Sequence, residues 1–307
     1  MKNQTIIISG PTAVGKTNVA VELCKQINGS IISADSRQVY KYLDIGTNKD
    51  GKLGKDNVRK IDNISQYLTD IIEPNQKYSA KNFEQDAEKY EKIILQENKI
   101  PVIVGGTGLY IKSFLYGLDD LPDADETIRF SIQKDIDNNG LDYVYDELSR
   151  VDICSAQKNK GNTQRIIRAL EVYKLTGKTM TELLNKKIVK NKNFKHFVIL
   201  KDREQLYSDI NTRCAKMITS GMIEEVEKVL NMGYDKNCYA LTGVGYKHIV
   251  KYLDNKITKQ ELIEQFSKDT RQYAKRQITW FKNQMDIELI DIIGGNYKSA
   301  VEMILRY

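Results

Sequence analysis

The stretch Gly10-Pro11-Thr12-Ala13-Val14-Gly15-Lys16-Thr17 constrains this chain more than any other. An apolar run, Thr5 to Ser9, precedes it and reads as a buried strand. Val19, Leu23 and Ile27 follow at helical spacing and predict a helix over 18–27. A G-x-x-x-x-G-K-[ST] pattern set between strand and helix is a phosphate-binding loop. Its glycines let successive backbone N–H groups converge on one concavity, and the helix N-terminus adds positive potential there. In that geometry Lys16 reaches a phosphate and Thr17 offers its hydroxyl to a metal ion. An α/β fold that binds a phosphate or diphosphate follows.

A second apolar strand, Ser30 to Ala34, ends in Asp35-Ser36-Arg37-Gln38. Ligands of open α/β sheets lie outside the carboxyl ends of the strands, so Asp35 and the loop at 10–17 face one crevice. Asp35 is a general base, a metal ligand, or an Asx-turn that only ends the strand. Residues 41–66 are polar and read as a surface excursion with little regular structure. Tyr67 to Ile72 reads as a third strand. Ser79 caps a helix carrying Phe83, Ala87, Tyr90 and Ile94, which ends at Asn98. Pro101 to Val104 is another strand, running into Gly105-Gly106-Thr107-Gly108-Leu109-Tyr110. That turn is either a second backbone cradle or a site of tight helix–sheet packing. No strand ends in the aspartate that nucleotide-hydrolysing P-loop proteins hold beside magnesium, which argues against a standard ATPase.

Alternation of strand and helix stops near Leu118. Helical patterns at 125–138, 141–150, 163–175 and 180–184 define an inserted all-helical domain, 119–195, in a core formed by 1–118 and 196–307. Arg165 and Arg168 share one helix face, fit either to grip phosphates or to sit in solvent. Phe197 to Leu200 is a further core strand. Helices follow at 204–218, containing Asn211-Thr212-Arg213-Cys214, at 222–230 and at 259–283. In the last, Arg271, Lys275 and Arg276 alternate with Tyr273, Trp280 and Phe281. Either bases and rings meet nucleic acid, or the rings are core and the bases snorkel.

Composition narrows the setting. The chain has 307 residues, 41% hydrophobic and 29% charged, as an ordinary soluble globular protein does. No apolar run is long enough for a membrane helix. The strand at Thr5 leaves no room for a signal peptide. The four cysteines, Cys24, Cys154, Cys214 and Cys238, are scattered, and with only His196 and His248 beside them a zinc site is not expected. A reducing cytoplasm is the expected setting. The formal charge of +6 is compatible with a nucleic-acid partner but weak as an argument alone.

Taken together, GPTAVGKT (10–17), SADSRQVY (33–40), GGTGLY (105–110), QRIIRALEVY (164–173), GYKHI (245–249) and TRQYAKRQITWF (270–281) closely resemble the tRNA dimethylallyltransferases, also called tRNA isopentenyltransferases. The resemblance spans nearly the whole chain in the family's order. It implies a P-loop NTPase-like parallel sheet flanked by helices, with an inserted all-helical tRNA-binding domain. It also implies transfer of a dimethylallyl group from its diphosphate to N6 of the adenine just 3′ of the anticodon. Gly10 to Thr17 would cradle the diphosphate, with Thr17 helping to hold Mg²⁺. Thr12, Lys16, Asp35 and Arg213 would form the catalytic set, with Arg213 supporting Thr12 and Asp35 taking the proton from N6. Asp35, Ser36, Arg37 and Gln38 would meet the tRNA, Gln38 at the extruded base. Thr107, Arg129, Gln164, Arg165, Ile166, Ile167 and Arg168 fall at family tRNA-contact positions, and Arg271, Lys275 and Arg276 join them. A monomer is expected.

This chain departs from the family where Gly46-Thr47-Asn48-Lys49-Asp50 replaces G-T-A-K-P, and where Leu241-Thr242-Gly243 replaces a more basic stretch. The C-terminal zinc finger of eukaryotic members is absent, as in the bacterial type. The alternative is a P-loop kinase of small metabolites or nucleotides, which leaves the TRQYAKRQ helix unexplained.

Overall fold

The computed structural model describes residues 4–54, 56–119, 121–184, 193–284, 288–291 and 297–306. The chain separates into two compact units, Met1–Leu115 with Asn191–Tyr307, and Tyr116–Lys190.

The larger unit is built on an 8-stranded sheet in the order β3-β4-β5-β2-β6-β1-β7-β8. Its strands are β1 (Thr5–Ser9), β2 (Gly29–Ser33), β3 (Lys52–Leu53), β4 (Arg59–Ile61), β5 (Ile64–Tyr67), β6 (Ile100–Gly105), β7 (Phe194–Leu200) and β8 (Glu288–Asp291). From β5 to β8 every neighbouring pair is parallel. β3 and β4 extend the edge antiparallel. All of β1 is buried, because a parallel sheet covered on both faces needs apolar residues at consecutive positions. β6 lies between β1 and β2, so the strand leading to Asp35 is not the neighbour of the P-loop strand. β7 already pairs with β1 at Phe194 and Lys195, so the sheet resumes before residue 196.

Two expectations change in the segment from 41 to 72. The third parallel strand is Ile64–Tyr67, not 67–72, because Leu68 and Asp70 have φ of 64° and 58°, which no strand accommodates. The polar excursion contains the β3–β4 hairpin and a buried charge cluster. Arg59 Nη2 donates to Asp70 (2.8 Å) and to Asp44 (2.9 Å), and Lys49 pairs with both aspartates. Charges that read as solvent-facing are here paired inward. Helices at Ile153–Lys158, Tyr246–Leu253 and Tyr297–Arg306 and strand β8 were not evident from pattern.

The smaller unit is all-helical: Glu126–Asn139, Leu141–Val151, Ile153–Lys158, Thr163–Thr176 and Met180–Leu183. Side chains of Asp125, Asp152, Asn162 and Thr179 cap these helices, accepting from backbone N–H groups in the first turn. Ile132, Val144, Leu148, Ile166, Ala169 and Leu170 form its core. Among the described residues no helix is long and apolar enough to cross a membrane.

Candidate active site

Helix Lys16–Ile27 starts on Gly15, whose φ of 96° is the left-handed region. A Cβ there would also lie 2.2 Å from the Tyr297 ring, so only glycine fits. This turn sends Lys16 back over its own loop, where Nζ donates to the Pro11 (2.7 Å) and Gly10 (3.1 Å) carbonyls. Burial lowers its pKa from 10.5 to about 8; nearby Asp35 opposes the shift and Arg213 adds to it.

Thr12, Lys16, Thr17, Asp35 and Arg213 line a cavity of about 1090 Å³ at the carboxyl edge of the sheet. A second cavity, about 240 Å³, opens between Arg37, Thr242, Val244, Phe266 and Tyr273. Thr12, Lys16, Asp35 and Arg213 line both. They are therefore the common wall of a polar chamber and a narrower one with aromatic sides. Arg213 makes no hydrogen bond or ion pair with another described residue. Burial depresses its pKa, and Asp35 and Asp50 counter that. A cation held this way suits a polyanion in the chamber.

Asp35 does form the Asx-turn: its Oδ1 accepts from the Arg37 N–H at 2.8 Å. The turn leaves Asp35 on the cavity wall, so the structural and chemical readings coexist in one residue. Thr107 Oγ1 accepts from the Ser36 N–H at 3.0 Å, binding the GGTG turn to this loop. Arg37 donates to the Tyr239 carbonyl at 2.9 Å. Gln38 is corrected. Its Nε2 donates to the Thr47 and Asn48 carbonyls, and its Oε1 accepts from Ser33 and Gln66, so its amide is engaged inside the protein and braces the loop at 47–48. That loop is anchored in turn by Glu225, which accepts from the Asp44, Ile45 and Gly46 N–H groups and the Tyr246 hydroxyl.

The basic residues of helix Lys259–Gln284 divide. Lys275 and Arg276 are exposed, whereas Arg271 is half-buried and donates to Asn211. Phe281 is core, edge-on to His196, while Trp280 and Tyr273 are half-buried.

In the helical unit, Gln164 and Arg165 are exposed. Ile166 is corrected as a ligand contact, since its apolar side chain is 0% exposed in the core, whereas Ile167 packs against that core and stays partly exposed. Arg129 and Arg168 are committed to a third residue. Fully buried Glu171 accepts from Arg129 Nε (2.8 Å) and Nη2 (3.0 Å), from Arg168 Nη1 (2.6 Å) and from the Asp125 N–H (2.7 Å). Burial opposes its ionisation, but these donors hold the carboxyl below the usual range. Glu171→Ala is expected to cost the helical unit about 3 kcal/mol, read as lost hydrogen-exchange protection across 126–176. With the folded pKa depressed, this stabilisation is complete above the ordinary value of 4.5 and is lost as pH falls through the folded pKa.

Sequence reasoning missed Gln277. Its Oε1 accepts from the Thr12 N–H and its Nε2 donates to the Gly106 carbonyl, both at 2.9 Å. A signal existed: Ala274, Gln277 and Phe281 recur on one buried helix face, where glutamine is out of place. Asp50 and Tyr297, on the large cavity's wall, were also missed.

A family model described as IPP transferase matches residues 38–284. The chain belongs to the IPP transferase family. It is 54% identical over 285 residues to a tRNA dimethylallyltransferase of Endomicrobium trichonymphae, covering 93% of this chain and 94% of the relative. It is 41% identical over 291 residues to that of Clostridioides difficile, covering 94% and 91%. Among solved structures, the tRNA isopentenylpyrophosphate transferase of Bacillus halodurans matches with a TM-score of 0.70 at 33% identity, covering 99% of this chain and 96% of that one. A eukaryotic dimethylallyltransferase acting on tRNA matches with a TM-score of 0.78 at 25% identity, covering 99% and 80%. Both solved relatives share this fold over nearly the whole of the present chain.

Proposed function

We propose that this chain transfers a dimethylallyl group from dimethylallyl diphosphate to the exocyclic N6 of the adenine 3′-adjacent to the tRNA anticodon. The observation that carries the reading is the common wall: Lys16, Asp35 and Arg213 stand between a chamber fit for a diphosphate and a narrower one fit for a base. Family membership and the names of its relatives support the same reading. The kinase alternative finds no relative among them.

The diphosphate sits on the N–H groups of the P-loop, with Lys16 and Arg213 as its cations. The adenine enters the second cavity, leaving the stack of its loop to do so. N6 attacks C1 of the dimethylallyl group as the C1–O bond breaks, the bonding pair leaves with the diphosphate, and Asp35 accepts the N6 proton. Lys16 and Arg213 stabilise charge where it develops, on the leaving oxygens. Thr17, Asp35 and Asp50 line the diphosphate chamber, and such hard oxygen donors suit Mg²⁺, which keeps several waters and shares substrate phosphates. Bound there, Mg²⁺ would neutralise charge on the diphosphate. The enzyme would work in the cytoplasm as a monomer.

Incubating the protein with labelled dimethylallyl diphosphate, Mg²⁺ and unmodified tRNA tests this. Label on N6 of that adenine is expected; label absent from RNA overturns the reading. Exposed Arg165 is assigned to tRNA phosphate. Arg165→Ala should therefore flatten the slope of log affinity against log salt by about 0.7 to 0.9. An unchanged slope would leave Arg165 merely solvated.

A further inference from the structure

Gln277 does more than fill the space between helix Lys259–Gln284 and the sheet. Only one assignment of its amide is consistent with its partners. The Thr12 N–H can only donate and the Gly106 carbonyl can only accept, so Oε1 faces the first and Nε2 the second. Gly106 carries no Cβ because one would lie 2.2 Å from that Nε2. The next residue in the turn, Thr107, holds the Ser36 N–H beside Asp35. One buried amide therefore ties the P-loop at Thr12 to the turn that positions Asp35. Gln277 is 6% exposed, and its helix presents Lys275 and Arg276 on the outside.

We propose that Gln277 is a positioning residue for the transfer. It fixes the Thr12 peptide, so that the diphosphate loop and the Asp35 loop keep one spacing across the common wall. The inference rests on the function proposed above, but its primary readout does not need that function. The probe is inorganic pyrophosphate, titrated calorimetrically into the full chain.

Gln277→Met keeps the volume and removes both hydrogen bonds. Pyrophosphate affinity should fall about tenfold and kcat for transfer about 10- to 100-fold, since a buried N–H and C=O are left unpaired at the reacting wall. tRNA affinity, carried by outer cations, should stay within twofold. Gln277→Glu supplies a second readout. Ionised, its carboxylate faces the Gly106 carbonyl and the bound anion. Protonated, it offers one O–H and one C=O in the geometry of the amide. Activity relative to wild type should therefore climb as pH falls from about 8 to 6, because burial raises the introduced carboxyl's pKa. A residue that only packs would leave Gln277→Met binding pyrophosphate like wild type, and the Gln277→Glu ratio flat with pH. Either result overturns the proposal, whereas a wild-type protein that binds pyrophosphate but prenylates no tRNA overturns the proposed function instead.

Discussion

Asp35→Asn is expected to lower kcat about 10²- to 10⁴-fold, the usual contribution of a positioned general base. An adenine amine is a poor nucleophile because its lone pair is delocalised into the ring. Its attack gains from an acceptor that aligns N6 and takes the proton. The substitution is a clean one here. The Asx-turn needs only an oxygen to accept the Arg37 N–H, and an amide supplies it, so the melting temperature should barely change. tRNA affinity should also hold, since a neutral amide still hydrogen-bonds the base. One side effect checks the assignment. The negative charge of Asp35 raises the pKa of Lys16, so removing it should let Lys16 lose its proton at still lower pH. Substantial rescue by added Mg²⁺, or a wild-type kcat, would transfer the role of Asp35 from base to metal anchor or to neither.

Lys16→Ala is expected to lower kcat/KM for the donor about 10²- to 10³-fold, as losing one preorganised charge partner of a developing anion does. Its fold should survive, because Lys16 hydrogen-bonds only to loop carbonyls and points at the cavity. The pH dependence is more diagnostic. With the free-state pKa near 8, wild-type donor affinity should be flat below that value and weaken above it, as Lys16 must be reprotonated to meet the diphosphate. Lys16→Ala should lack this alkaline limb. The sign for stability is the opposite. The folded pKa lies below the ordinary 10.5, so the unfolded chain binds more protons between about 8 and 10.5, and ligand-free stability should rise with pH there. Donor kinetics and urea unfolding across pH 7 to 10 check both. Transfer near wild type from a folded Lys16→Ala variant would remove Lys16 from the site.

Much of this was legible in the chain itself because local physics encodes it. A buried parallel strand favours apolar residues at consecutive positions, so Ile6, Ile7 and Ile8 appear as a run within Thr5–Ser9. A helix beginning on an anion-binding loop needs a left-handed residue, so Gly15 marks it. A cap such as Ser79 declares a helix start through its own hydrogen bond. The resemblance across the ordered motifs carried the family, and with it Lys16, Asp35 and Arg213.

Tertiary structure decided which of those residues are available. Placement of β6 between β1 and β2 depends on crossovers that no periodicity records, yet it sets where Asp35 stands relative to the P-loop. Charge in a sequence carries no label for solvent or partner. Only the fold shows that Lys49 and Arg59 close on Asp70, and that Arg129 and Arg168 close on Glu171, while Arg165 and Lys275 remain outside. Gln277 makes the same point for amides, since it is defined by backbone groups distant in the chain. Sequence by itself determined the chemistry this chain carries, because residue type and local spacing suffice for a loop, a cap or a strand. The choice of partner for each polar group was left to the fold, because pairing is a long-range competition among many equivalent charges and amides, and burial settles it.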